Sequence, residues 1–182
     1  MPRPEREAVM LEAAGEVFAA QGFHEASMDA IASRAGISKP MLYNYFGSKD
    51  GLYAAYIARS GAALLSVLRE ASSPGATAQE RMYDGLVAFL TYVEGHRAGW
   101  SVLYSEAVGR AGPAVGSVVE IRSRLAAIVS RVLALELEDP VARDALAHAF
   151  VGAGESLANW WLDHPAQSKQ ETAALLTRLI PR

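Results

Sequence analysis

Between Ser27 and Leu52 the chain reads SMDAIASRAGISKPMLYNYFGSKDGL, and its spacing leaves little freedom in how this stretch can fold. Met28, Ile31, Ala32 and Ala35 fall at i, i+3, i+4 and i+7, one face of a short helix, with Ser27 placed as its N-cap. Gly36 supplies a tight turn, and Ile37 follows as a plug between helices. Ser38 caps the next helix, which tolerates Pro40 in its first turn because a missing N–H is unneeded there. Leu42 and Phe46 share the inner face of that helix and Gly47 ends it, with a further helix starting at once. Two short helices across a glycine turn form a helix-turn-helix, whose second helix fits the DNA major groove.

The rest of the chain carries the same punctuation. A first helix runs from about Pro4 to Gln21, with Val9, Ala13, Val17 and Phe18 at helical spacing and Gly22 as its stop. A long fourth helix spans about Lys49 to Ala71, before a break at Ser72-Ser73-Pro74-Gly75-Ala76. Thr77 with Glu80 makes a capping box for a fifth helix that reaches about Glu94. A sixth covers Trp100 to Val108, and Gly109-Arg110-Ala111-Gly112 is a loop. A seventh runs from Pro113 to Glu138 with Val118, Ile121, Leu125, Ile128, Val132 and Leu135 on one stripe. Asp139-Pro140 opens an eighth that Asp163-His164-Pro165 stops. Ser168 with Glu171 opens a ninth, ending about Ile180. No β-type alternation bounded by hairpin turns occurs, so the spacing predicts an all-α fold of about nine helices: a three-helix unit over residues 1–48, joined by helix 4 to a helical bundle within 49–182.

Composition narrows the function. Half of the 182 residues are hydrophobic, enough for a substantial core. Cysteine is absent, which excludes disulfides and thiolate metal sites. The N-terminus MPRPEREAVM is too polar for a signal peptide, and no apolar run approaches the roughly 20 residues of a membrane span. A soluble, cytoplasmic protein without membrane partners is expected. Net charge is −3, and up to Asp50 five basic residues face seven acidic ones. Attraction to phosphate must therefore come from local arrangement, with Arg34, Lys39 and Lys49 flanking the second helix of the motif.

These residues carry a family resemblance. Ile31-Ala32, Ala35-Gly36-Ile37-Ser38, Tyr43-Asn44-Tyr45-Phe46 and Lys49-Asp50 stand in an order that resembles the N-terminal domain of TetR-type transcriptional regulators. The ending Trp160-Trp161-Leu162-Asp163-His164-Pro165 is similar to the way helix 8 often closes in that family. The resemblance implies a DNA-binding regulator, more commonly a repressor, with an effector domain too divergent to transfer a ligand.

Ser27, Ser38, Lys39, Pro40, Tyr43, Asn44, Tyr45 and Lys49 form the candidate DNA-facing set. Ser27 and Ser38 sit at helix N-termini, where free N–H groups favour phosphate, though capping alone also explains them. Lys39 reaches a phosphate or a guanine edge, and Asn44 on the outer face suits an adenine. The resemblance implies phosphate contacts for Tyr43, Tyr45 and Lys49. Tyr45 is the better candidate of the two tyrosines to pack on helix 1 instead.

One such unit reads only a half-site, so a homodimer on a pseudo-palindromic operator is expected. In the family the last two helices pair with their mates. Here helix 8 carries the small-residue stripe Ala145, Ala149, Gly152 and Ser156, and helix 9 carries Leu175, Leu176, Leu179 and Ile180. The resemblance also implies an effector cavity among helices 4 to 8. Its candidate lining is Phe89, Tyr92, Trp100, Leu103, Tyr104, His148, Phe150, Glu155, Asn159 and Trp160, for which simple core packing is the competing reading. A small, mostly apolar effector would release DNA by favouring one of two states, with helix 4 as the lever.

Two other classes compete. An enzyme would need a nucleophile, a phosphate loop or a helical zinc pair, and His24, His96, His148 and His164 offer no i, i+4 spacing. The pair His148 and Glu155, two turns apart on one helix, is the one proton-transfer candidate. No cofactor is implied. A helical carrier or interaction module without DNA binding draws its support from the acidic N-terminal balance.

Overall fold

A computed structural model describes residues 2–71, 76–109 and 114–178, with the backbone alone over 105–109. Among these residues there are nine helices and no strand: α1 (Arg3–Glu25), α2 (Met28–Ala35), α3 (Lys39–Phe46), α4 (Lys49–Glu70), α5 (Ala78–Gly95), α6 (Arg97–Gly109), α7 (Val115–Leu133), α8 (Pro140–Leu162) and α9 (Lys169–Thr177). The expected loops at 72–75 and 110–112, the start at Pro113, and Leu179 and Ile180 lie outside the described residues.

The boundaries follow local chemistry. Gly22 interrupts α1 with φ 75° and ψ 169°, and one more turn follows before Ala26. Thr77 and Glu80 form the expected capping box, the Thr77 N–H donating to Glu80 at 2.8 Å. Asp139 accepts from the Val141 N–H, and Ser168 from the Glu171 N–H. The seventh helix is shorter than its apolar stripe predicts. After Leu133 the backbone tightens, with Leu135 and Glu136 donating to carbonyls three residues back, and Leu135 is 54% exposed. The stripe continued in sequence beyond the point where the helix had a core to cover.

The helices form two compact units. The first combines residues up to Ala62 with Arg97–Val119. Met10, Ala14, Phe18, Ile31, Leu42, Leu52 and Ile57 are its innermost side chains, and Phe18 meets Tyr53 edge-on at 4.7 Å. The buried face of α1 is centred on Met10, Leu11, Ala14, Val17 and Phe18, and Val9, expected inside, is 39% exposed. Ala13, Val17 and Phe18 are buried as expected, and only Val9 falls at the edge of the face, where Met10 and Leu11 carry more apolar area to bury. Tyr56 of α4 reaches between α1 and α6: its ring lies against Gly15, and its hydroxyl is 3.0 Å from where a Gly99 side chain would begin. Burial raises the pKa of the Tyr56 phenol.

The second unit comprises Ala63–His96 and the chain from Glu120 onward. In it α5 packs against α8 and α9. Ala126, Leu133 and Ala147 form a small core between α7 and α8, flanked by Val129 and Val151. Glu155, buried on α8, accepts a two-pronged ion pair from Arg122 of α7. Lys169 of α9 meets Glu94 of α5 at 2.6 Å, and the Trp161 indole N–H donates to the Gln167 carbonyl at 2.9 Å.

One expectation needs correction. Helix α4, 22 residues with mean hydropathy 1.3 in its best window, is long and apolar enough by composition to cross a bilayer. Its alanines, with its leucines and isoleucine, raise that mean without an unbroken apolar run. Its large side chains Leu52, Tyr53, Ile57, Leu64 and Leu65 are buried in the protein, and Arg59 donates to the Ala8 carbonyl.

Two glycine replacements test this packing. Gly15→Ala places a methyl within 2.6 Å of Tyr56 Cζ, a ring too buried to yield. Overpacking of this kind lowers unfolding free energy by about 1–3 kcal/mol. Gly85→Ala, in the interior of α5 with open space around the new methyl, adds about 0.5–1 kcal/mol. Urea unfolding followed by circular dichroism checks both signs.

Candidate nucleic-acid interface

The motif is assembled by its caps and its turn. The Ser27 hydroxyl accepts from the Ala30 N–H at 3.1 Å. Gly36 adopts φ 66°, ψ 33°, left-handed backbone that a side chain would strain, and the Ile37 N–H returns to the Ala32 carbonyl at 3.0 Å. Ile37 is half-buried between the helices, as expected of a plug. Ser38 occupies the N-cap position of α3 but makes no side-chain capping bond. Pro40 removes one of the N–H groups it would cap, and the Met41 N–H is taken by the Ser38 carbonyl at 3.0 Å.

Leu42 fixes the roll of α3. It is fully buried, so the next two residues turn outward: Tyr43 is 43% exposed and Asn44 is exposed. Pro40, Lys39 and Ser38 are exposed at the same end, while Phe46 is only half-buried. Tyr45 turns back toward α1, its ring 5.3 Å below the Arg3 guanidinium.

The three cations around α3 all have partners within the protein. Arg34 of α2 forms an ion pair with Glu16 of α1. Lys39 Nζ lies 2.7 Å from Asp29 Oδ2 of α2. The hydrogen bond with Arg34 lowers the pKa of Glu16, and the hydrogen bond with Asp29 raises that of Lys39. Lys49 donates to the His24 and Ala26 carbonyls, each at 3.0 Å, with its ammonium 4.6 Å from the centre of the Phe23 ring. It thus neutralises the carbonyl end of α1 and ties it to the first turn of α4. Sequence reasoning identified these cations but not their partners. Asp29 lies ten residues from Lys39 and Glu16 eighteen from Arg34, separations that only the turn at Gly36 and the packing of α2 on α1 close.

The other candidate residues divide by exposure. On α8, Ala145, Ala149 and Ser156 are exposed and Gly152 half-buried, one stripe that also holds Val141, 75% exposed. His148 and Trp160, expected inside with the effector lining, are instead exposed on α8, Trp160 stacked on His164 at 4.2 Å. On α9 Leu175 is 50% exposed, whereas Leu176 is buried within its own unit. Phe89 and Tyr92 are buried, Phe150 and Asn159 half-buried, and the Asn159 amide donates to the Glu155 carbonyl at 2.7 Å. Trp100 and Leu103 are buried in the first unit and Tyr104 half-buried, its ring 5.8 Å from Trp100. The proton-transfer pair is not formed: Glu155 engages Arg122, and His148 Nδ1 lies 2.8 Å from the Asp144 carbonyl.

Comparison with known proteins agrees with this geometry. Residues 10–56 match the family model for bacterial regulatory proteins of the tetR family. Residues 78–182 match that for a tetracyclin repressor-like C-terminal domain. The HTH-type transcriptional activator FasR of Mycolicibacterium smegmatis is 39% identical over 104 residues, 57% of this chain and 48% of that protein. The chain spans about half the length of curated relatives it matches, FasR and the HTH-type transcriptional regulator UidR of Escherichia coli. The crystal structure of a TetR-like transcriptional regulator from Rhodococcus sp. RHA1 superposes with a TM-score of 0.83 and 42% identity, covering 99% of this chain and 96% of that one. Bacillus subtilis FadR, solved in complex with stearoyl-CoA, shares the fold at 16% identity, with a TM-score of 0.79 over 95% of this chain and 96% of that one.

Lys49→Ala separates the role of its side chain from that of the exposed face. Loss of two charged hydrogen bonds and a cation–π contact should cost about 1–2 kcal/mol of stability in urea unfolding. Tyr43→Ala and Asn44→Ala, at exposed positions, should stay within about 0.5 kcal/mol of the parent.

Proposed function

This chain belongs to the TetR family of bacterial transcriptional regulators, and on that premise we propose that it binds a pseudo-palindromic DNA operator as a homodimer. The observation that carries this reading is the roll of α3: Leu42 is fully buried while Tyr43 and Asn44 face outward behind the left-handed turn at Gly36. Residues 1–48 form the DNA-binding part, and 49–182 carry dimerisation and effector response. Asn44 reads a base edge in the major groove. Tyr43, Lys39 and the α3 N-terminus with Ser38 and Pro40 meet the backbone, as Ser27 does at the start of α2. Tyr45 and Lys49 act by positioning α3 and α4 against α1, which their internal partners favour.

Dimerisation runs through α8. A small-residue stripe left facing solvent admits close approach of a second helix, and Ala145, Ala149, Gly152 and Ser156 meet that description together with Leu175 of α9. A small, mostly apolar effector releases the DNA. Phe89, Tyr92 and Phe150 of the second unit offer apolar surface that supports such a ligand, and FadR of Bacillus subtilis, which shares the fold, was solved in complex with stearoyl-CoA. The dimer acts as a repressor in the cytoplasm, by occupying its operator. Activation is the second reading, favoured by the name of the FasR relative. Catalysis forms no part of this function.

Selection of operator sequences from a random duplex pool, followed by anisotropy with the selected duplex, tests the reading. Asn44→Ala should weaken operator binding by about 5- to 100-fold, the value of one bidentate base contact. Unchanged affinity in the Tyr43→Ala, Asn44→Ala double variant refutes the α3 assignment. Gly152→Arg meets open space on the monomer and should leave secondary structure intact. Light scattering should then show a monomer where the parent is a dimer. Transcription in vitro from the selected site, with and without stearoyl-CoA, decides between repression and activation.

A further inference from the structure

The cations that flank α3 each have a partner within the protein itself, and one of these arrangements has no evident role in folding. Resting on the reading that α3 enters the major groove, we propose that Asp29 is a specificity-determining residue: its carboxylate acts as an internal counter-ion for Lys39 and so suppresses binding to non-cognate DNA.

Lys39 is the first residue of α3, where the helix begins its approach to DNA. Asp29 lies in the first turn of α2, 2.7 Å from the Lys39 ammonium. The two side chains are 44% and 71% exposed, so the pair builds no core, and exposed pairs of this kind add little to stability. Asp29 is not needed as a cap either, because Ser27 already accepts the Ala30 N–H. Its position in the first turn suits the positive end of α2, so the carboxylate is held there at no cost to the helix.

The consequence falls on DNA binding. Phosphate contacts carry no sequence information and dominate binding to any duplex. A free lysine gains fully from a phosphate, whereas Lys39 must exchange a carboxylate for it or share its charge with both. On the operator the base contacts seat α3 in the groove and hold Lys39 at its DNA partner, so little of this penalty is felt there. On a non-cognate duplex no base contact seats α3, and the exchange weakens binding in full. The bond also sets the direction of the Lys39 side chain before DNA arrives. The ion pair of Arg34 with Glu16 repeats the pattern on α2, and the whole segment up to Asp50 carries more acid than base.

The test is fluorescence anisotropy on the full chain, with the selected operator and a scrambled duplex, across a potassium chloride series. Asp29→Asn should tighten scrambled-duplex binding by about 3- to 10-fold and the operator by less, with a salt slope on the scrambled duplex steeper by up to about one. The ratio of operator to scrambled affinity should fall at least about 3-fold. Asp29→Glu, which keeps the charge, should retain the parent ratio. Glu12→Gln removes the same formal charge from an exposed site on α1 and should leave the ratio unchanged. In a Lys39→Ala background, Asp29→Asn should lower the ratio no further than Glu12→Gln does. An unchanged ratio in Asp29→Asn, or equal effects of Asp29→Asn and Glu12→Gln, overturns the proposal while the DNA-binding reading stands. A parent protein that binds neither duplex nor any member of the pool overturns both. Thermal melting of Asp29→Asn within about 2 °C of the parent shows that the change acts on binding and not on folding, as expected for an exposed pair.

Discussion

The geometry of the DNA-facing surface depends on one constraint, the rotational setting of α3. An eight-residue helix has too few residues to be held by its own hydrogen bonds, so its orientation comes from what it buries. Leu42 is the one residue of α3 that is buried outright, in a unit whose most deeply buried side chains also include Met10, Phe18 and Ile31 of α1 and α2. Gly36 then fixes where the helix can start, because its left-handed backbone makes the chain reverse within two residues of α2. With the start and the roll both fixed, Tyr43 and Asn44 have no choice of direction. Their outward position follows from a leucine and a glycine that touch no partner themselves.

That setting is transmitted to α4 by groups that look functional in isolation. Lys49 stands where a phosphate clamp would be expected, yet its ammonium already meets two carbonyls at the end of α1 and the face of Phe23. A charge so engaged ties the end of α1 to the first turn of α4. Tyr56, about two turns further along α4, fills the space left by Gly15 on α1 and lies close to Gly99 on α6. These two side chains give the first unit a continuous contact from the motif, through α1 and α4, to α6. A regulator of this kind needs its reading head to move as a body, and ties of this sort are how a short motif acquires rigidity.

The sequence disclosed what depends on local rules and missed what depends on long separations. The capping box at Thr77 and Glu80, the caps at Ser27, Asp139 and Ser168 and the stop at Gly22 were legible because each involves residues within a few positions of one another. The motif itself was legible because helical spacing and Gly36 agree. The end of α7 was not, since the apolar stripe runs on to Leu135 while the backbone tightens after Leu133. The placement of His148 and Trp160 was not, since α8 is apolar on several sides and its period alone does not say which side meets water. The partners of Arg34, Lys39 and Lys49 were invisible for the plainest reason: nothing in a count of charges says which acid lies beside which base.

Small residues illustrate the same limit from the other side. Gly15 and Gly152 read alike in sequence, each a glycine among alanines on an apolar helix. In the structure they are opposites. Gly15 is small because Tyr56 occupies the volume its side chain would need, so its size is used up within the chain. Gly152 has nothing within 4 Å of the same point, on a face with Ala145, Ala149 and Ser156. Glycine inside a helix costs stability relative to alanine unless something gains from the missing methyl. At Gly15 the gain is internal and visible. At Gly152 nothing among the described residues collects it, which is the physical reason to look for the beneficiary in a second molecule.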